Sequence, residues 1–390
     1  MVRGTSTRGY LPTVDGWRAV AISRVILSHL FFGTSNHAYF SAVLVLMGPK
    51  GVSLFFGLSG FLITWRLLEE QQKYGHINLR RFYLRRAFRI LPAAIVYLFV
   101  IAGLGLIGVF KVDTRSWMSA MFFYRDYSNT TDWLTGHFWT LSIEEHFYLF
   151  WPVMLLFLGI SRAAWSAAFM SLAVVGWRAI DLHYHWTENA MPDVGYWFRT
   201  DTRLDALLVA CIIAILFHHF TDGGRRRVEF PTWVWVGLLV GYFTFGLMPR
   251  YTSSSSFFEL GQVICIPLLL AGTLLNPHWT VSKILECKAL KWIGCISYSL
   301  FLWQQIFLGN GKTGHVLLRL AAVGACAIAS FYLIEKPMIR VGRRFAATGG
   351  TGRLALETSP RLTRLRFEIE PVSANQEEQP QKEAAVGSTA

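Results

Sequence analysis

Charged side chains make up only 16% of these 390 residues, whereas hydrophobic ones make up 53%. A water-soluble globular chain of this length covers its surface with considerably more charge, so that class is excluded. Cysteine is also scarce: five residues, an odd number, lie in or beside apolar stretches at positions 211, 265, 287, 295 and 326, with no metal-ligand spacing. Cys211, Cys265, Cys287, Cys295 and Cys326 therefore read as small core residues, and neither a disulfide framework nor a metal site is expected. Internal repeats and a soluble catalytic stretch are lacking too, which leaves any chemistry within or beside the apolar segments. The first of those segments contains Arg18 and Arg24 and has no small-residue cleavage site, so a cleaved signal peptide is not expected.

What the chain does have is aromatic and apolar length. Fifteen Trp and thirty Phe accompany apolar runs near the roughly 20 residues a bilayer requires. The pattern predicts an all-α, polytopic transmembrane helix bundle of about ten spans. They fall near 14–34, 48–67, 90–110, 138–160, 163–180, 201–218, 231–247, 257–275, 291–308 and 314–334. The net charge of +13 does not point to nucleic acid, because the basic residues cluster between spans and in the tail. With the N-terminus inside, sixteen Lys and Arg before the tail fall on the cytoplasmic side and seven outside, the asymmetry of the positive-inside rule. Both termini are then cytoplasmic. Three regions are expected: a cytoplasmic segment over 1–13, a transmembrane domain over 14–340, and a cytoplasmic tail over 341–390. That tail ends "ANQEEQPQKEAAVGSTA" and is too polar to order itself.

Ionisable residues inside spans cost on the order of 3 kcal/mol each, so they read as functional by default. Arg18 and His29 stand eleven residues apart, which on a helix is about 16 Å of rise and nearly three whole turns, placing both on one stripe. His29 is the natural general base of the pair. Arg24 faces elsewhere and calls for an acid, with Asp205 and Glu144 as candidates. In "INLRRFYLRRAFRILP" Arg85, Arg86 and Arg89 crowd the mouth of a span. Arg86 and Arg89, three apart, share a face fit to grip a phosphate-rich ligand or a lipid headgroup. In "GHFWTLSIEEHFYLFWP" Glu144 and Glu145 stand near the start of a span. Helix capping, with Thr140 or Ser142 as the cap, accounts for one acid but not for two beside His137 and His146. Gly57 and Gly60 suit close helix packing, and Asp201, Arg203 and Asp205 suit a structural ion pair.

In order along the chain, Asp15-Gly16 with Arg18 and His29, "FFGLSGFLIT", "FYLRRAFRILP", "FWTLSIEEHFYLFWP", "TRLDALL", "ISYSLFLWQQ" and "YLIEKP" resemble the acyltransferase-3 family of integral membrane O-acyltransferases. The resemblance runs from about residue 10 to about residue 340. It implies a catalytic role for His29 and a requirement for Arg18, Arg86 and Arg89. It also implies acyl-CoA, most often acetyl-CoA, as a donor substrate rather than a resident cofactor, and a hydroxyl of a carbohydrate or glycolipid acceptor outside the cytoplasm. Many members carry histidine where this chain has Gln304, so no catalytic role is expected there. Many bacterial members also append an outside esterase-like domain, which this sequence does not contain.

The expected setting is the cytoplasmic (inner) membrane of a bacterium, among membrane lipid, with a homo-oligomer or glycan-assembly proteins as possible partners. On this reading Arg18, Glu144, Glu145 and His29 serve the reaction, and Arg85, Arg86 and Arg89 hold the donor. The competing reading is a proton-coupled transporter or flippase for an anionic or glycan substrate, with His29, Glu144 and Glu145 as a proton relay. Inverted halves and paired broken helices, which that reading needs, are absent from the sequence.

Overall fold

The computed structural model describes residues 11–31, 38–128, 132–191, 194–221, 231–247, 255–308 and 315–348. Among the described residues all regular structure is helical. The first three helices are α1 (Pro12–Phe31), α2 (Ala38–Tyr74) and α3 (Leu79–Leu106). Two short helices follow, α4 (Thr114–Met121) and α5 (Trp133–Gly136), and then the long α6 (Phe138–Tyr184). Beyond it come α7 (Trp186–Ala190), α8 (Thr200–Arg203), α9 (Asp205–Phe220), α10 (Thr232–Leu247) and α11 (Ser255–Leu275). The chain closes through α12 (Thr280–Leu285), α13 (Lys288–Cys295), α14 (Ser297–Phe307), α15 (Val316–Ser330) and α16 (Lys336–Thr348), the last two joined by a π-helical turn over Phe331–Glu335.

Among the described residues, five helical stretches are long and apolar enough to cross a membrane: Lys50–Tyr74, Leu79–Leu106, Trp133–Tyr184, Ser255–Leu275 and Val316–Ala347. Asp205–Phe220 and Thr232–Phe245 are apolar but shorter. The expected count of about ten is therefore larger than the number of long apolar helices, for identifiable reasons. Residues 138–160 and 163–180 lie in one helix, interrupted at Gly159, whose φ of 73° and ψ of 169° only glycine adopts without strain. Residues 291–308 are divided between α13 and α14 at Ile296. The first expected span carries Asp15, Arg18 and Arg24, so α1 is less apolar than the five. Helix α16 runs on to Thr348, past the expected domain end at 340, while the rest of the expected tail, 349–390, lies outside the described residues.

Local chemistry sets several of these boundaries. Pro12 opens α1, where its missing N–H costs nothing. Asn78 caps α3 by accepting a bond from the Arg81 backbone N–H at 2.9 Å. Asp113 does the same for α4, accepting from Ser116 at 2.7 Å.

Helix α1 packs on α2 and α13, α2 on α9, and α16 on α3. Glycine makes the closest of these approaches. A Cβ on Gly294 would run into the Asp15 backbone carbonyl, and one on Gly60 would meet the Leu207 carbonyl. The result is a single large core in which Ile22, Phe56, Tyr97, Phe138, Trp151 and Leu302 are fully or almost fully buried. Apolar side chains left exposed, such as Phe99, Phe157, Trp165 and Leu317, suit contact with lipid.

A second framework is ionic. Arg178 forms an ion pair with Asp205 Oδ2 at 3.0 Å and lies 3.5 Å from Glu259 Oε2, while Arg203 pairs with Glu259 and donates to Ser53 Oγ at 2.8 Å. All four charged groups are buried, and they clamp α2, α6, α8, α9 and α11 together. The Arg203 and Asp205 of "TRLDALL" thus join one buried ionic network, but through Glu259 and Arg178 rather than by pairing with each other.

Candidate active site

Arg18 of α1, Arg86 and Arg89 of α3, and Glu144 and Tyr148 of α6 converge on one cavity of about 100 Å³, with Ser59 of α2, Thr140 of α6, and Ser297 and Tyr298 of α14 completing its polar lining. Helical spacing explains the convergence: three residues separate the two α3 arginines and four separate Glu144 from Tyr148, so each pair faces one way. The Tyr148 hydroxyl donates to Glu144 Oε2 at 2.9 Å and lies 2.6 Å from Ser59 Oγ. Arg86 stacks over the Tyr148 ring at 4.8 Å and over Phe82 at 5.9 Å. Arg18 is held by Asp15 at 3.0 Å. Three guanidiniums against one lining carboxylate make the cavity suited to an anion.

Arg86 and Arg89 also line a second, wider cavity of about 560 Å³, so the two spaces meet at these side chains. Seven basic residues line the wider one, Arg66, Lys73, Arg81, Arg85, Arg86, Arg89 and Arg343, against two acids, Glu69 and Glu70. The acids are partly engaged: Arg66 bonds Glu69 at 2.9 Å and Arg85 bonds Glu70 at 3.3 Å. Arg85 therefore belongs to the outer vestibule, not to the inner cavity. The arrangement is a cationic vestibule leading to a narrow, aromatic-walled slot.

His29 is not in that slot. It lies half-buried near the opposite end of α1 from Arg18, edge-on to Trp133 at a centroid distance of 5.1 Å. The Gln304 amide lies beside its ring without a well-formed bond to it, and His29 Nδ1 has no hydrogen-bond partner. Glu145, about 100° round the helix from Glu144, is half-buried and does not line the cavity. Of the residues read from sequence, the structure brings together Arg18, Arg86, Arg89 and Glu144, and leaves His29, Glu145 and Arg85 apart from them. Tyr148 and Ser59 escaped the sequence reading, although the four-residue step from Glu144 to Tyr148 was a usable signal.

Two expectations need correction. The acids do not cap α6, because the helix already begins at Phe138 and Glu144 sits more than a turn inside it. Thr140 and Ser142 donate to backbone carbonyls of His137 and Phe138 instead. Arg24 has neither Asp205 nor Glu144 as its partner: it bonds the Tyr242 hydroxyl and stacks over that ring at 5.3 Å. A guanidinium in apolar surroundings is served by an aromatic face as well as by an acid.

Comparison with known proteins places the chain among relatives of named activity. The chain is 29% identical over 382 residues to the putative peptidoglycan O-acetyltransferase YrhL of Bacillus subtilis, covering 88% of this chain and 57% of that protein. It is 29% identical over 371 residues to the O-acetyltransferase OatA of Staphylococcus aureus, covering 85% and 58%. It is 28% identical over 376 residues to the peptidoglycan O-acetyltransferase OatA of Listeria monocytogenes, covering 86% and 57%. The chain thus spans a little over half the length of these curated relatives. No solved structure gives a significant match. Residues 11–334, which include every group lining the inner cavity, match the family model described as an acyltransferase domain, and the chain belongs to the acyltransferase-3 family.

Proposed function

We infer that the protein transfers an acetyl group from cytoplasmic acetyl-CoA to a hydroxyl of a carbohydrate acceptor on the outer side of the membrane. The observation that carries this reading is the junction of the cationic vestibule with the narrow slot at Arg86 and Arg89. Acetyl-CoA has a matching shape: a polyanionic nucleotide head and a thin pantetheine arm ending in the thioester. The head fits the vestibule and the arm fits the slot. His29 lies about 16 Å beyond Arg18 along α1, a distance comparable to that arm.

The chemistry then follows. The acceptor oxygen attacks the thioester carbonyl carbon, its proton passes to His29, the new C–O bond forms, and the C–S bond breaks to release coenzyme A. Alternatively His29 takes the acetyl group first and hands it on. Arg18 neutralises anionic charge between the two ends, while Glu144 and Tyr148 set the charge and shape of the slot.

The names of the three relatives support a peptidoglycan-type acceptor. The setting is the inner membrane of a bacterium with both termini cytoplasmic. Ten crossings result when α6 is counted twice about Gly159 and when α1, α9, α10 and the α13–α14 pair each count once. The test is to incubate purified full-length protein with acetyl-labelled acetyl-CoA and a saccharide acceptor. Label should be released or transferred, and protein that binds acetyl-CoA but never turns it over would contradict the reading.

A further inference from the structure

Among the described residues beyond the wall of the slot, five carry polar atoms that lack a well-formed hydrogen bond, with the Gln304 amide beside the His29 ring. They are His29 Nδ1, both ring nitrogens of His137, both amide atoms of Gln304, Gln305 Oε1 and Trp303 Nε1. These residues come from the last turn of α1, the residue capping α6, and α14. His137 is 4% exposed and Gln304 is 0% exposed. Buried polar groups are nearly always bonded, because an unsatisfied one forfeits its hydration with no return. Several together mark a place that a ligand completes.

The groups are neutral and offer both donors and acceptors: a primary amide gives two of each, and a neutral imidazole gives one of each. That inventory matches hydroxyls and N-acetyl amides, not phosphates or carboxylates, which the arginines serve. The walls are aromatic. His137 lies edge-on to Tyr97 at 5.2 Å and to Phe301 at 5.2 Å, and Trp133 flanks His29. Phe301 also lines the slot, so a single ring separates this cluster from the proposed donor arm.

We propose that His137 and Gln304, together with His29, form the acceptor subsite, which takes a neutral N-acetylhexosamine unit and holds its hydroxyl against His29. The proposal rests on the acetyl-transfer reading and adds to it the place and partners of the acceptor. His137 and Gln304 are positioning residues: they orient the hydroxyl that His29 deprotonates. Gln304 supplies donors and acceptors without a titrating proton.

The experiment uses the full chain in nanodiscs and chitotetraose, a soluble N-acetylhexosamine oligomer, as the probe. Its equilibrium binding is measured for the parent and for His137→Leu, His137→Gln and Gln304→Leu, beside acetyl-CoA binding and thermal unfolding. The leucine variants should bind chitotetraose at least 10-fold more weakly, and His137→Gln, which keeps a neutral donor and acceptor, should recover part of the loss. Thermal stability should stay level or rise in His137→Leu, because an unsatisfied buried group has been removed. A purely structural histidine would give the opposite sign. Parent-level chitotetraose binding in both leucine variants overturns the proposal. So does a parallel loss of acetyl-CoA affinity, and so does a parent that does not bind chitotetraose. A parent that binds the oligomer through His137 yet never turns over acetyl-CoA would overturn the transfer reading and leave the subsite standing.

Discussion

Arg86 is one of two arginines shared by vestibule and slot, and on the proposed reading replacing it isolates donor binding from chemistry. It has two supports: the Tyr148 ring 4.8 Å below its guanidinium, and the positive field it shares with Arg89 and Arg18. If it makes one charge-assisted bond to a donor phosphate, losing it costs about 1.5–3 kcal/mol. That corresponds to a dissociation constant for acetyl-CoA roughly 10-fold to 150-fold higher in Arg86→Ala. Arg86→Lys keeps the charge but loses the planar fork and most of the stacking, which is worth about 0.5–2 kcal/mol, so its loss should be roughly 2-fold to 30-fold. Because Arg86 sits inside the bundle, the difference between parent and Arg86→Ala should persist in about 0.5 M salt, where exposed charges are screened. Isothermal titration of acetyl-CoA into monodisperse protein gives the constants, and thermal unfolding confirms that the variants are folded. An Arg86→Ala protein that is folded and binds within twofold of the parent would refute the assignment of the vestibule to the donor.

Other perturbations have equally definite outcomes. Arg178→Met should leave Asp205 and Glu259 short of their buried counter-charge and destabilise the fold by about 3–5 kcal/mol, read as a sharp fall in unfolding temperature or folded yield. Gly294→Val should push α13 off the Asp15 carbonyl and lower both unfolding temperature and transfer, since no flexible side chain is there to yield. Tyr148→Phe removes the bonds to Glu144 and Ser59 but keeps the ring under Arg86. Transfer should fall roughly 10-fold, consistent with one lost hydrogen bond to a charged group, while acetyl-CoA affinity changes little. For topology, a maleimide probe applied to intact cells should label Glu188→Cys and not His76→Cys. Both side chains are exposed, so reversed labelling would invert the proposed direction of transfer.

The helical class, the apolar spans and the shared face of Arg86 and Arg89 were legible because they rest on local signals. Apolar run length marks spans, and a three-residue step puts Arg86 and Arg89 on one face whatever the neighbours do. The partners of buried charge were not legible. Arg24 found a tyrosine 218 positions away, and Arg178, which no sequence motif flagged, closed the network around Asp205 and Glu259. The start of α6 at 138 was legible, but what precedes it was not. Helix α5 and His137 precede α6, so Glu144 sits deeper than a capping acid would. Among the described residues, the long apolar helices are fewer than the expected spans because α6 runs through the break at Gly159 as one helix and 291–308 is split at Ile296 into two short ones. His137 was noticed only as a neighbour of Glu144 and Glu145, since nothing in sequence tells a satisfied histidine from an unsatisfied one.

The central claim is that binding and chemistry occupy opposite ends of α1, with the donor at the arginines and the reacting end at His29. One paired measurement tests it: acetyl-CoA affinity and acetyl transfer, both determined on the same preparation of His29→Ala. The account expects affinity close to the parent and turnover lower by about 10² to 10⁴ if His29 acts purely as a base, or by more if it carries the acetyl group. Parent-level turnover in a folded His29→Ala protein would contradict it and leave the histidine a packing partner of Trp133.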